Sequence, residues 1–183
     1  MEYLQHIDSQ ILLWIQDNVR NDFLTPIFKF ITHLGDTGWI WIAATILCLF
    51  FAKTRKAGFL SAIALIGSLV INNLILKNLV ARIRPYEVVD GLARLIEAQH
   101  DYSFPSGHTG ASFAAAVIFF IYLPKKFGVP ALILAVFISF SRLYVGVHYP
   151  TDVLAGGLIS TAIAICIWKA DEYIQRKSRQ GEA

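Results

Sequence analysis

The sequence predicts an all-α, polytopic transmembrane helix bundle with five clear spans and an amphipathic N-terminal helical region that can add a sixth. Three observations carry this prediction. The 183-residue chain is 56% hydrophobic and only 16% charged, well away from ordinary soluble usage. Five runs, 37–52, 57–76, 109–123, 127–141 and 153–168, contain no Asp, Glu, Lys or Arg. The run 57–76 is long enough for a hydrocarbon core of about 30 Å, and a neighbouring turn extends each of the shorter ones. Third, basic residues gather at alternate ends of these runs. A soluble α-bundle does not account for five such runs in so small a chain.

The elements follow in order. Residues 8–20 place Ile11, Leu12, Trp14, Ile15 and Val19 near one helical face, which suits a helix lying at the membrane interface. Asp8 or Ser9 can cap its start. Residues 23–34 are apolar but carry Pro26, Lys29 and His33, and fit a full span, a half span or a surface helix equally. Gly35-Asp36-Thr37-Gly38 is a turn, and Trp39 and Trp41 anchor the first clear span at an interface. Lys53, Arg55 and Lys56 separate the first and second spans. The second runs into Lys77 and continues toward Arg84-Pro85, and 86–104 form a polar connector. The third span begins near Ser106 and ends at Leu123. The fourth extends from about Val129 to Tyr144, and the fifth starts just after Pro150 and ends near Lys169.

The length suggests one integral membrane domain over 1–183: an amphipathic region 1–35, a helix bundle 36–170 and a polar tail 171–183. Met1 to Asp8 is acidic and has no basic n-region, unlike a cleaved signal peptide. Cys48 and Cys166 lie in apolar runs and suggest neither a disulfide nor a metal site. The net charge is +3, and its placement matters more than its size. One set of span ends carries Lys53, Arg55, Lys56, Lys125, Lys126, Lys169, Arg176, Lys177 and Arg179. The positive-inside bias makes those ends cytoplasmic and the opposite face extracytoplasmic.

Three polar blocks fall on that opposite face. The first runs from Lys77 to Arg84-Pro85, the second is Pro105-Ser106-Gly107-His108, and the third is Ser141-Arg142, then His148 and Asp152. Ionisable groups inside a membrane protein are costly and mark function. Lys77 and Arg84 are seven residues apart, so a persistent helix would stack them on nearly one face, with Arg82 turned away from it. Two stacked cations can bracket a phosphoryl group, although snorkelling at a membrane edge is the plainer reading of this block alone. Ser106 is a good helix cap, Gly107 allows close backbone approach, and free amides at a helix start attract anions. An ordinary capped helix explains that tetrapeptide equally well. In the third block, Asp152 stands four residues after His148, close enough to accept from Nδ1–H and leave the other ring nitrogen free to attack. A structural His–Asp bond between two helices is the alternative.

Together, the blocks resemble the three-part signature of the type 2 phosphatidic acid phosphatase (PAP2) superfamily, and every defining position is met in order from Lys77 to Asp152. The resemblance implies an all-helical, membrane-bound, metal-independent phosphatase working through a phosphohistidine, with no cofactor. Carried onto this chain, it makes His148 the nucleophile, Asp152 its orienting partner and His108 the general acid. Lys77, Arg84 and Arg142, with Ser106 and Gly107, would bind the phosphate. Expected substrates are phosphatidylglycerol phosphate, undecaprenyl pyrophosphate or phosphatidic acid.

A phosphotransferase that passes the phosphoryl group to another lipid would share the first half-reaction. A soluble acid phosphatase or vanadate haloperoxidase shares the superfamily site but not the spans, and a non-catalytic lipid-binding protein would have no use for the full set. Zinc on His108, His148 and Asp152 is opposed by the three cations and by the absence of paired ligand spacings. His6, His33 and His100 stand in no comparable constellation and read as structural or surface residues. No Gly-rich nucleotide loop and no nucleic-acid-binding pattern is present.

Overall fold

A computed structural model describes residues 2–181, all of them helical or in turns and loops. Helix α1 spans Glu2–Asn18, α2 Leu24–Leu34, α3 Trp39–Phe50, α4 Arg55–Ser68, α5 Lys77–Val80, α6 Pro85–Val88, α7 Gly107–Tyr122, α8 Lys125–Tyr144 and α9 Pro150–Gly181. A short 3-10 turn, Asp36–Gly38, precedes α3, and a π-helical stretch, Leu69–Leu76, joins α4 to α5.

The molecule is an all-α membrane bundle with its polarity turned outside in. Phe50, Leu74, Leu154 and Leu158 are exposed, whereas Lys77, Arg84, Arg142 and Asp152 are buried. By length and composition, three stretches can cross a bilayer: 55–88, 125–144 and 150–180. A fourth candidate is α2 with 36–50, bent by 46° at the turn. The sequence placed the first clear span at 37–52, with a neighbouring turn to extend it. The 12-residue helix α3 rises only about 18 Å, so it crosses only as half of that bent pair.

Helix α7 is the centre of the bundle and packs against α4, α8 and α9. Its Ala114, Ala115 and Ala116 are fully buried, since small side chains let helix backbones approach where the lipid supplies little hydrophobic drive. Hydroxyls and amides then bond across helices. Trp41 Nε1 donates to Ser112 at 2.9 Å, Thr45 and Ser61 pair at 2.8 Å, and Asn72 Nδ2 donates to Ser160 at 2.9 Å. Gly156 on α9 seats that helix against the start of α7, where a Cβ would fall 2.6 Å from the Ser106 carbonyl oxygen.

Two local expectations are corrected. α1 begins well before Asp8, so that residue is no cap; it is buried, and its carboxylate bonds Arg82 and Thr151. Lys77 and Arg84 do not sit on one continuous helix either. The helix ends at Val80, where Ala81 takes a left-handed φ of 49°, and Pro85 opens α6. Ser106 caps α7 and Pro150 opens α9 as expected, but α9 continues past Lys169 through the polar segment to Gly181, and α8 begins at Lys125 rather than near Val129.

Candidate active site

The three polar blocks converge at one end of the bundle. The π stretch carries Lys77 inward, the loop 81–84 brings Arg84 back, α7 presents His108 from its first turn, and α8 delivers Arg142 from its last. His148 stands in the turn between α8 and α9, and Asp152 in the first turn of α9. The Ser106 amide donates to the Asp152 carbonyl at 3.0 Å, tying the second block to the third.

Arg84 binds the turn directly. Its Nη1 donates to the Val147 carbonyl at 2.8 Å and lies 3.3 Å from His148 Nε2. Lys77 Nζ donates to Asp101 Oδ2 at 2.5 Å, and Arg84 pairs with Asp101 Oδ1, so one carboxylate from the connector bridges two cations. Burial works to raise the Asp101 carboxyl, but Lys77 and Arg84 together outweigh it and hold it down to about 2. Arg142 is wholly buried and donates from Nη1 to Thr32 at 2.6 Å. Its Nε and Nη2 have no partner among the described residues.

His148 Nδ1 lies 3.5 Å from Asp152 Oδ2, longer than a formed hydrogen bond. Burial, reinforced by the charges of Arg84 and Arg142, pushes this imidazole down to about 3 against the pull of Asp152. The ring is therefore neutral at pH 7. Its surroundings assign the Nδ1–H tautomer, with the hydrogen toward Asp152 and the Nε2 lone pair toward the cations.

Asp152 is held on all sides. Oδ2 accepts from Ser103 Oγ at 2.5 Å and from the Tyr149 amide at 2.9 Å, and Oδ1 accepts from Arg82 Nη1 at 2.7 Å. Arg82 also donates to Asp8 at 2.7 Å and lies over the Tyr149 ring, 3.8 Å from its centroid. Arg82 does turn away from the Lys77 face, and what it meets there is the partner of His148. His108 Nε2 lies 2.9 Å from Asp36 Oδ1, and His33 Nδ1 lies 2.8 Å from Asp36 Oδ2.

Thus Arg82, Asp8, Ser103, Asp101, Asp36 and His33 belong to the site's surroundings, and sequence reasoning took none of them as a site residue, although it put His33 on the active side and the connector 86–104 near the headgroup. The one available signal was position: Arg82 lies inside the first block, and His33 beside the 35–38 turn. Among the described residues, no three His, Cys, Asp or Glu side chains form a metal-ligand group.

A cavity of about 630 Å³ opens on Lys77, Arg84, His108, Arg142 and His148. It continues as an apolar slot between Ile42, Ile46 and Leu49 of α3 and Leu65 and Ile66 of α4 with Leu69 of the π-helical stretch.

A family model described as the PAP2 superfamily matches residues 56–176. The chain belongs to the PAP2 superfamily. It is a PAP2-type lipid phosphatase, an integral membrane hydrolase. Among curated PAP2 relatives, it is 37% identical over 141 residues to undecaprenyl-diphosphatase of Sulfolobus acidocaldarius, covering 77% of this chain and 68% of that one. It is 29% identical over 170 residues to phosphatidylglycerophosphatase B of Bacillus subtilis, covering 86% and 80%. The fold matches the crystal structure of the transmembrane PAP2-type phosphatidylglycerolphosphate phosphatase from Bacillus subtilis. That match has a TM-score of 0.77 and 27% identity, over 95% of this chain and 89% of the other.

Proposed function

We propose that this PAP2 protein removes a phosphate from a membrane lipid phosphate through a phosphohistidine on His148, with undecaprenyl diphosphate as the preferred substrate. The observation that carries the proposal is the joining of a cationic pocket to a single apolar slot. Phosphate meets Lys77, Arg84 and Arg142, while one hydrocarbon chain lies between α3 and α4. An isoprenyl diphosphate has one chain, and a relative of that activity is 37% identical. Phosphatidylglycerol phosphate is the second reading, favoured by the Bacillus structure.

In the proposed cycle, phosphate oxygens take the unpartnered Arg142 Nε and Nη2 donors and replace the Asp101 carboxylate between Lys77 and Arg84. The Gly107 amide, at the start of α7, adds an anion donor beside Ser106, whose own amide is held by the Asp152 carbonyl. His148 Nε2 attacks phosphorus, forming a P–N bond as the P–O bond to the leaving group breaks. Asp152 accepts the hydrogen bond from Nδ1–H, which keeps its proton, and stabilises the phosphorylated imidazolium. His108 gives its proton to the leaving oxygen. Water then attacks phosphorus, the P–N bond breaks, and His108 recovers a proton from that water. The surrounding cations carry most of the transition-state charge.

Five membrane crossings are assigned: the bent α2–α3 pair, 55–88, α7, α8 and α9. The basic residues Lys53, Arg55, Lys56, Lys125 and Lys126 cluster at the ends opposite the site, which supports an extracytoplasmic active face. Phosphate release by purified protein in EDTA, from undecaprenyl diphosphate, phosphatidylglycerol phosphate and phosphatidic acid, tests the proposal. Turnover highest on undecaprenyl diphosphate and lost in His148→Ala supports it. Turnover that persists in His148→Ala, or phosphate transfer only in the presence of a second lipid, overturns it.

A further inference from the structure

The turn between α2 and α3 is built around His108. At Gly35 a Cβ would lie 2.8 Å from the His108 ring carbon Cδ2, so the imidazole occupies the space a side chain would need. Thr37 and Gly38 take left-handed φ values of 52° and 71°, folding the turn back on itself. Asp36, at its head, reaches the ring: Oδ1 stands 2.9 Å from His108 Nε2, and Oδ2 stands 2.8 Å from His33 Nδ1. His108 Nε2 is thereby occupied, and no described residue hydrogen-bonds its Nδ1, while the ring lines the cavity.

The charges around this histidine are unequal. Lys77 and Arg142 line the cavity that this ring faces, and the Asp36 carboxylate is bonded to its Nε2. Arg84 and neutral His148 line the same cavity. Asp101 lines it too, but its carboxylate is engaged by Lys77 and Arg84. His33 stands behind Asp36 on the solvent side. Asp36 is therefore the one carboxylate among the described residues that is bonded to this imidazole. A general acid must carry its proton when substrate arrives, and a site lined with cations works against that.

We propose that Asp36 is a positioning residue for His108, resting on the phosphatase activity proposed above. It holds Nε2–H and favours the protonated ring when Nδ1–H is presented to the leaving oxygen, and His33 fixes the far carboxylate oxygen. The protein then uses two histidine–carboxylate pairs in opposite senses. Asp152, clamped by Arg82, orients a neutral nucleophile, and Asp36 sustains a charged acid.

Asp36→Asn keeps the shape and removes the charge. The pH dependence of kcat/KM for phosphate release is expected to show its alkaline limb displaced toward acid by about one pH unit, with the acid limb in place. That displacement is about a tenfold loss at alkaline pH. Asp36→Glu should recover part of it. A loss of the same size at every pH, or no loss, overturns the proposal.

A second measurement is independent of turnover. The imidazole signal of His108, assigned by its disappearance in His108→Gln, is titrated in detergent in wild type and Asp36→Asn. A midpoint lower by about one unit in the variant supports the pairing, and an unchanged midpoint overturns it. Failure of the phosphatase proposal shows separately, as turnover indifferent to His148→Ala.

Discussion

Arg82→Gln tests whether the Asp152 clamp matters to chemistry. The guanidinium donates 2.7 Å bonds to two buried carboxylates, Asp152 and Asp8. A hydrogen bond to a charged partner contributes about 1.5–3 kcal/mol. Arg82 is one-fifth exposed, which favours the lower half of that range. Asp152 keeps its Ser103 and Tyr149 donors in the variant, so only one of three anchors is lost. About 1.5–2 kcal/mol of transition-state stabilisation corresponds to roughly a ten- to thirtyfold fall in kcat. Because Arg82 does not line the cavity, KM should hold within about twofold, the pattern of an interaction felt mainly in the transition state. Leaving two buried carboxylates short of a cation also destabilises the fold, by about 3 kcal/mol at the low end for a broken buried pair. Steady-state phosphate release in detergent reads the first effect and thermal unfolding the second. Asp8→Asn combined with Arg82→Gln should add little to kcat loss, because Asp8 acts through Arg82. A wild-type kcat in Arg82→Gln, or a raised KM with kcat unchanged, would refute the clamp.

Other variants read other parts of the site. Gly35→Ala sets a methyl 2.8 Å from both the His108 ring and Ile138 Cγ2. It should lower kcat by about tenfold, with an overpacking cost of about 1–3 kcal/mol in unfolding; normal activity would show that the ring has room to move. Ile46→Trp, on the apolar wall of the slot, should raise KM for a long-chain lipid phosphate about tenfold, the effect of about 1.4 kcal/mol. It should leave a small water-soluble phosphate ester unaffected, and equal losses on both would contradict the slot. His148, at about 3 when folded against about 6.5 when unfolded, is the more protonated in the unfolded chain between those values. Stability should therefore decline as pH falls from about 6.5 toward 3, with a shallower decline in His148→Gln. Asp101, held down to about 2, contributes to the pH slope only below about 4. Identical slopes in wild type and His148→Gln would count against a buried neutral ring.

The sequence made the motif residues legible because each lies in a short block where spacing is read directly. Ser106 as a helix cap and Pro150 as a helix start followed from local backbone chemistry, and both hold. The stacking of Lys77 on Arg84 did not hold. It assumed a 3.6-residue period through a stretch that is π-helical before Lys77 and broken at Ala81. Nothing in the apolar composition of 69–76 announces that change, and within it Asn72 turns inward to Ser68 and Ser160. Asp8, Arg82, Ser103 and Asp36 were invisible for a different reason. Their partners lie tens of residues away in the chain, and only helix packing brings them together. Asp8 had a good local explanation as a cap, which tertiary pairing overrode. The bent α2–α3 pair shows the limit of hydropathy: 37–52 is apolar enough to span but its helix is too short, and the missing length lies across the turn that holds Asp36.

The most direct test of the account is to trap the covalent intermediate. Wild-type protein mixed with phosphorus-labelled undecaprenyl diphosphate is quenched in alkali within the first turnovers, and the label is mapped by peptide mass spectrometry. The account requires label on His148, formed at least as fast as phosphate is released and absent from His148→Ala. Steady turnover with no labelled histidine, or label that persists in His148→Ala, would contradict it.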